Sequence, residues 1–145
     1  MSFTIDENTG ILIKKAARLF EQVANKNLDE LGVTYSQTIF LVRLWEKDGQ
    51  TQIELAKSAG LKQPSVVRIL DRMERDDLVT RKRNKLDRRV YNFYLTEKAK
   101  KACQHLEKKA NSMHATATHN ISKDAIKKFN KTIKYIIANL QASKS

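Results

Sequence analysis

The segment Thr51–Thr96 restricts the fold of this chain more than any other stretch. It reads TQIELAKSAGLKQPSVVRILDRMERDDLVTRKRNKLDRRVYNFYLT. Thr51 and Glu54 have the spacing of a capping box, in which each side chain reaches the other's backbone N–H. They open a short helix that Gly60 closes. Gln63 is expected as the N-cap of a second helix, with Pro64 in the first helical position, where its missing N–H costs nothing. That helix runs to about Asp76. Residues 79–83 and 90–95 are β-prone, and Tyr91, Phe93 and Leu95 share one face with period 2. The polar stretch Asn84–Arg89 is the tip of the resulting hairpin. Two short helices followed by a basic hairpin place a rod and a loop side by side, the shapes that fit the major and minor grooves of DNA.

The flanking sequence is helical. Leu12, Ala16, Leu19, Phe20 and Val23 recur on one face of a helix over about 9–30, stopped at Gly32. Thr34 and Gln37 form a second capping box, opening an apolar helix that runs to about Lys47 and ends at Asp48-Gly49. Thr96 caps a lysine-rich helix to about 118. After a break at Asn120 and Ser122, the final helix carries Ile126, Phe129, Ile133, Ile136, Ile137 and Leu140 at near-heptad spacing. The expected fold is mainly α with a small β-hairpin. A face of six large apolar residues, far in sequence from the hairpin, is of the kind that marks an interface and points to a homodimer.

The single proline and four glycines leave little room for long loops. No apolar run approaches the roughly 18 residues that span a bilayer, so no membrane partner is expected. The start MSFTIDENTG has neither the basic nor the apolar region of a secretion signal. With one cysteine no disulfide can close within the chain, and a cytoplasmic location is expected. The net charge is +12. Residues 1–48 hold six Lys/Arg against seven Asp/Glu, and residues 49–145 hold 22 against nine. The excess begins where the two-helix-plus-hairpin pattern begins, which implies a polyanionic partner.

In the helix from Pro64, Val66, Leu70 and Met73 form an apolar stripe, while Ser65, Arg68, Arg72 and Arg75 form a polar one. A helix that buries the first presents the second outward, and an arginine fork matches guanine O6 and N7, at about 1–3 kcal/mol of discrimination per good pair. Asp71, Glu74, Asp76 and Asp77 could instead neutralise these arginines on a solvated surface. The hairpin adds Arg81, Lys82, Arg83, Lys85, Arg88 and Arg89 within nine residues, offset only by Asp87. Asp87, between basic neighbours, is expected to pin the loop by a salt bridge.

Asp87-Arg88-Arg89, then five residues, then Leu95-Thr96 resembles the Asp-x-Arg…Leu-Thr signature of MarR-type winged-helix transcription regulators. Gln63-Pro64-Ser65-Val66-Val67-Arg68-Ile69-Leu70-Asp71, Ile53-Glu54-Leu55-Ala56-Lys57 and Leu95-Thr96-Glu97-Lys98-Ala99 resemble the SlyA branch. The resemblance implies a winged helix-turn-helix lobe over 34–96, dimerisation helices over 1–33 and 97–145, and a homodimer on a pseudo-palindromic operator in double-stranded DNA. It implies that Arg68 reads bases in the major groove and Arg88 enters the minor groove. Ser65 and Arg72 would be helix contacts, and Lys85 and Arg89 phosphate contacts; Gln63, Pro64 and Arg83 complete the expected DNA-binding set. It further implies a small aromatic effector, for which Tyr35, Phe40 and Trp45 are candidates, although such residues are more often core.

The remaining candidates are weaker. Cys103 lies near Lys100 and Lys101, which could lower its pKa, yet an inert thiol is the expectation. His105, His114 and His119 lack ligand spacing, so neither metal nor cofactor is expected. No nucleophile–base pair, phosphate loop or HExxH motif suggests an enzyme. The alternative to a sequence-specific regulator is a nucleoid-type architectural protein with the same charge and little sequence preference.

Overall fold

The computed structural model describes residues 4–144. Among these residues six α-helices and three strands follow in the order α1 (Thr9–Leu28), α2 (Tyr35–Glu46), β1 (Gln50–Thr51), α3 (Gln52–Ala59), α4 (Gln63–Arg75), β2 (Val79–Arg83), β3 (Tyr91–Leu95), α5 (Glu97–Ala117) and α6 (Lys123–Ala142). The expected helix order and hairpin are present. The strand β1 was not expected: two residues carry no periodicity. It pairs antiparallel with β3 (Gln50 opposite Phe93), and β3 pairs with β2 (Val79 opposite Leu95), giving the order β1-β3-β2.

Local chemistry sets the helix ends. Asn8 accepts from the Ile11 N–H at 3.1 Å, Thr51 from Glu54 at 3.2 Å and Ser122 from Ala125 at 3.1 Å. Glu54 and Gln37 return the bond to the Thr51 and Thr34 N–H groups. The cap of α4 differs from expectation. The N-cap is Lys62, whose carbonyl accepts from Ser65 and Val66, so Gln63 and Pro64 both lie inside the helix. Pro64 is tolerated one position further in because the first four N–H groups of a helix have no intrahelical partner.

The C-terminus of α4 turns sharply on a non-glycine residue. Asp77 adopts a left-handed φ of 58°. The Leu78 N–H bonds back to the Met73 carbonyl at 2.8 Å and the Asp77 N–H to Glu74 at 3.1 Å. This is a Schellman motif, and its companion apolar contact is supplied by Leu78 and Met73, both fully buried. The turn aims the chain from α4 directly into β2.

One core holds this part together. Phe40, Leu41 and Leu44 of α2, Leu55 of α3, Val66, Leu70 and Met73 of α4, and Val79, Phe93 and Leu95 of the sheet are buried in it. Each buried Leu, Val, Met or Phe contributes about 1.5–3 kcal/mol before chain entropy is counted. Leu28 and Val33 join it, as do Ala99, Ala102 and Leu106 of α5. The core thus takes in residues on both sides of the 34–96 lobe. A first compact unit extends to Ala110, and a second begins at Asn111.

Within the second unit, α6 buries no residue, and Phe129, Tyr135, Ile137 and Leu140 are each about half or more exposed. In the first unit, α1 buries only Ala24 and Leu28, leaving Leu12, Leu19, Phe20 and Val23 exposed. Among the described residues no helix is long and apolar enough to cross a membrane.

Candidate nucleic-acid interface

At 100° per residue, Ser65, Arg68, Arg72 and Arg75 lie on the side of α4 opposite Val66, Leu70 and Met73. The three apolar residues are buried, the three arginines are exposed, and Ser65 is partly covered. Gln63 is exposed at the start of the helix and accepts a 3.1 Å hydrogen bond from the Gln52 side chain of α3. Pro64 beside it is also exposed.

The acidic residues of α4 do not neutralise this stripe. Asp71 and Glu74 are both taken by Arg81 of β2, at 2.7 and 2.8 Å. Arg81 also lies over the rings of Tyr91 and Phe93, at 5.6 and 5.5 Å from their centroids. The two carboxylates raise its pKa, Asp71 foremost, and so hold it charged. Arg81 is thus a strut between strand and helix. Asp76 receives a 3.0 Å bond from the buried Gln37 and lies 3.9 Å from Arg72. Among the described residues, Arg68 and Arg75 have no carboxylate within 4 Å.

The hairpin tip is an ordered turn. Asn84 accepts from the N–H groups of Leu86 and Asp87 at 2.8 and 3.0 Å. Asp87 accepts from the Arg89 N–H and Nε, both at 3.1 Å, and from its Nη2 at 3.2 Å. The Arg89 bonds hold the Asp87 carboxyl below its ordinary pKa. Arg83, itself exposed, donates to the Arg88 carbonyl at 2.6 Å and lies 5.1 Å from the Tyr91 centroid. It braces the tip through that bond, and Lys85, Arg88 and Arg89 are exposed around it. Leu86, at the apex, is 98% exposed.

Residues 33–91 match the model of the MarR family. The overall architecture also matches solved structures. MepR of S. aureus, in a complex with DNA, shares 22% identity over 91% of this chain and 98% of its own, with a TM-score of 0.82. A MarR variant from E. coli, complexed with operator DNA, shares 23% identity over 88% and 91%, with a TM-score of 0.80. The transcriptional regulator SlyA shares 21% identity over 90% and 92%, with a TM-score of 0.79. Residues 33–91 form a MarR-family domain. Identities this similar establish the winged-helix fold and do not single out the SlyA branch.

In the MarR-family domain the aromatic candidates do not gather into one pocket. Phe40 is fully buried in the core, the commoner place for such a residue. Tyr35 and Trp45 are 42% and 53% exposed. Ten residues separate them, about 15 Å along the helix axis. Cys103 packs against the core and its Sγ lies 3.8 Å from the Leu41 carbonyl. Burial pushes its thiol up to about 11, so desolvation outweighs the neighbouring lysines. Among the described residues no three His, Cys, Asp or Glu side chains cluster as a metal site.

Sequence reasoning missed Arg81 as a strut, Gln52 beside Gln63, and Asn84 with Asn92 beneath the tip. The signal for Arg81 was weak, because charge density alone groups it with the exposed residues of the hairpin. The links from Asn84 to Asn92 and from Asn92 to Gly49 carry none, since they join different elements.

Proposed function

We propose that this chain is a sequence-specific transcriptional regulator that binds double-stranded DNA as a homodimer on a pseudo-palindromic site. The observation that carries this reading is the withdrawal of Asp71 and Glu74 to Arg81. It leaves Arg68 and Arg75 exposed and, among the described residues, without carboxylate partners on the outer face of α4. An arginine stripe kept free in this way suits base edges and phosphates better than a merely solvated surface would require. In this reading Arg68 contacts bases from the major groove, with Gln63, Pro64, Ser65 and Arg72 around it. Arg88 enters the adjacent minor groove, and Lys85 and Arg89 contact phosphate. Asp87 orients Arg89, and Arg83 supports the wing.

The homodimer rests on the exposed apolar faces of α1 and α6. Two copies place two recognition helices one helical turn apart, about 34–36 Å. The DNA-bound states of MepR and of E. coli MarR lend support by fold likeness. The experiment is selection of duplexes from a random-sequence pool by the purified protein, followed by competition with random DNA. A half-site repeat with tight, salt-sensitive binding is expected. Equal affinity for selected and random duplexes would favour an architectural protein instead.

A further inference from the structure

The wing tip is tied to the body of the domain by a chain of side-chain amides. Asn84 Oδ1 accepts from the Leu86 and Asp87 N–H groups, at 2.8 and 3.0 Å. Asn84 Nδ2 donates to Asn92 Oδ1 at 2.9 Å, and Asn92 Nδ2 donates to the Gly49 carbonyl at 2.7 Å. Gly49 is itself fixed. Its N–H donates to the Phe93 carbonyl at 2.9 Å, its φ is 76°, and an added Cβ would meet Tyr94 Cε1 at 2.8 Å. Every amide group in this relay has one direction. If Asn92 flipped, two oxygens would face each other at Gly49 and two NH2 groups at Asn84. The relay therefore holds the tip in one conformation, anchored at the turn that follows α2.

We propose that Asn84 and Asn92 are positioning residues for DNA recognition, presenting Lys85, Leu86 and Arg88 to the groove in a preformed geometry. The inference rests on the wing being a DNA contact, as argued above. A loop of seven residues, 84–90, that must order on binding pays conformational entropy at that step, whereas a preformed one does not. Neither asparagine needs to touch DNA. Their effect passes through the residues they hold, Arg88 above all, and is separate from that of Arg68 on α4.

The test is a double-mutant cycle on a duplex selected by the wild-type protein from a random pool. Asn92→Ala should weaken binding about tenfold alone. In an Arg88→Ala background it should weaken binding less than about twofold, and in an Arg68→Ala background by its full amount. Asn92→Asp, which keeps the acceptor for Asn84 but loses the donor to Gly49, should behave like Asn92→Ala. Amide hydrogen exchange in the free protein gives a readout without DNA: protection of the Leu86 and Asp87 N–H groups should be lost in Asn92→Ala, with the helices unchanged. If exchange is unaltered, or Asn92→Ala costs the same with and without Arg88, the positioning role is overturned. If exchange responds but Arg88→Ala leaves DNA binding unchanged, the relay is real and the reading of the wing as a DNA contact fails, and with it this proposal.

Discussion

Arg81 Nη2 donates to Asp71 Oδ1 at 2.7 Å, joining strand β2 to the middle of α4. Asp71 stands three residues after Arg68 and four before Arg75, the spacings at which charges pair along a helix. By capturing Asp71, and Glu74 through its Nε, Arg81 displaces those local pairings. Arg81→Ala should then cost roughly 1 kcal/mol of stability, since the pairs are partly exposed. It should also weaken binding to a selected duplex severalfold, because the released carboxylates compete for Arg68 and Arg75. Chemical denaturation and a fluorescence binding titration measure the two effects, and unchanged affinity would count against the withdrawal argument.

Arg68→Ala and Lys85→Ala should differ in kind. Loss of Arg68 should cost about 1–3 kcal/mol on the selected duplex and flatten preference at one position of each half-site. Loss of Lys85 should weaken all duplexes about equally and reduce the salt slope by about one. Binding to a panel of single-substitution duplexes at several salt concentrations separates these outcomes.

Exposed apolar residues of α6 should be needed for assembly. Phe129→Asp or Ile137→Asp, each at a side chain about half exposed in the single chain, should shift the mass found by sedimentation from dimer to monomer. The wild type should show a concentration-dependent Tm. A wild-type chain that sediments as a monomer at micromolar concentration would remove the dimer from the proposal.

Protonation should leave distinct marks. The folded pKa of Asp87 is depressed by Arg89 and that of Glu30 by Lys109. Whatever stability these pairs contribute is therefore full above the ordinary carboxylate range and lost as pH falls through the depressed values. An NMR titration should place Asp87 below 3.8, returning toward it in Arg89→Gln. Cys103 has the opposite sign, with a folded value of about 11 against an ordinary 9.0. Stability should fall as pH rises from about 9 toward 11, where the unfolded thiol ionises first. At neutral pH alkylation of Cys103 should be slow.

Gly49→Ala should destabilise the domain by about 2 kcal/mol, combining a left-handed backbone with a contact against Tyr94. A fall in Tm of roughly 4–8 °C is expected for a chain of this size. A smaller change would mean that Tyr94 yields easily.

Local physics made most of the architecture readable in the chain. Capping pairs such as Thr51 with Glu54, the glycine stop at Gly60 and the period-2 face of Phe93 and Leu95 act over a few residues, so their spacing in sequence is their spacing in space. The opposed stripes of α4 follow from the same rule. Two features were decided only by the tertiary structure: the sharing of Asp71 and Glu74 by Arg81, and the relay from Asn84 through Asn92 to Gly49. Each depends on residues between seven and more than forty positions apart being brought within hydrogen-bond or packing distance. Sequence determined which side chains α4 and the wing could offer. Tertiary contacts decided which of those charges were left free, because a charge is spent on whichever partner the fold brings nearest.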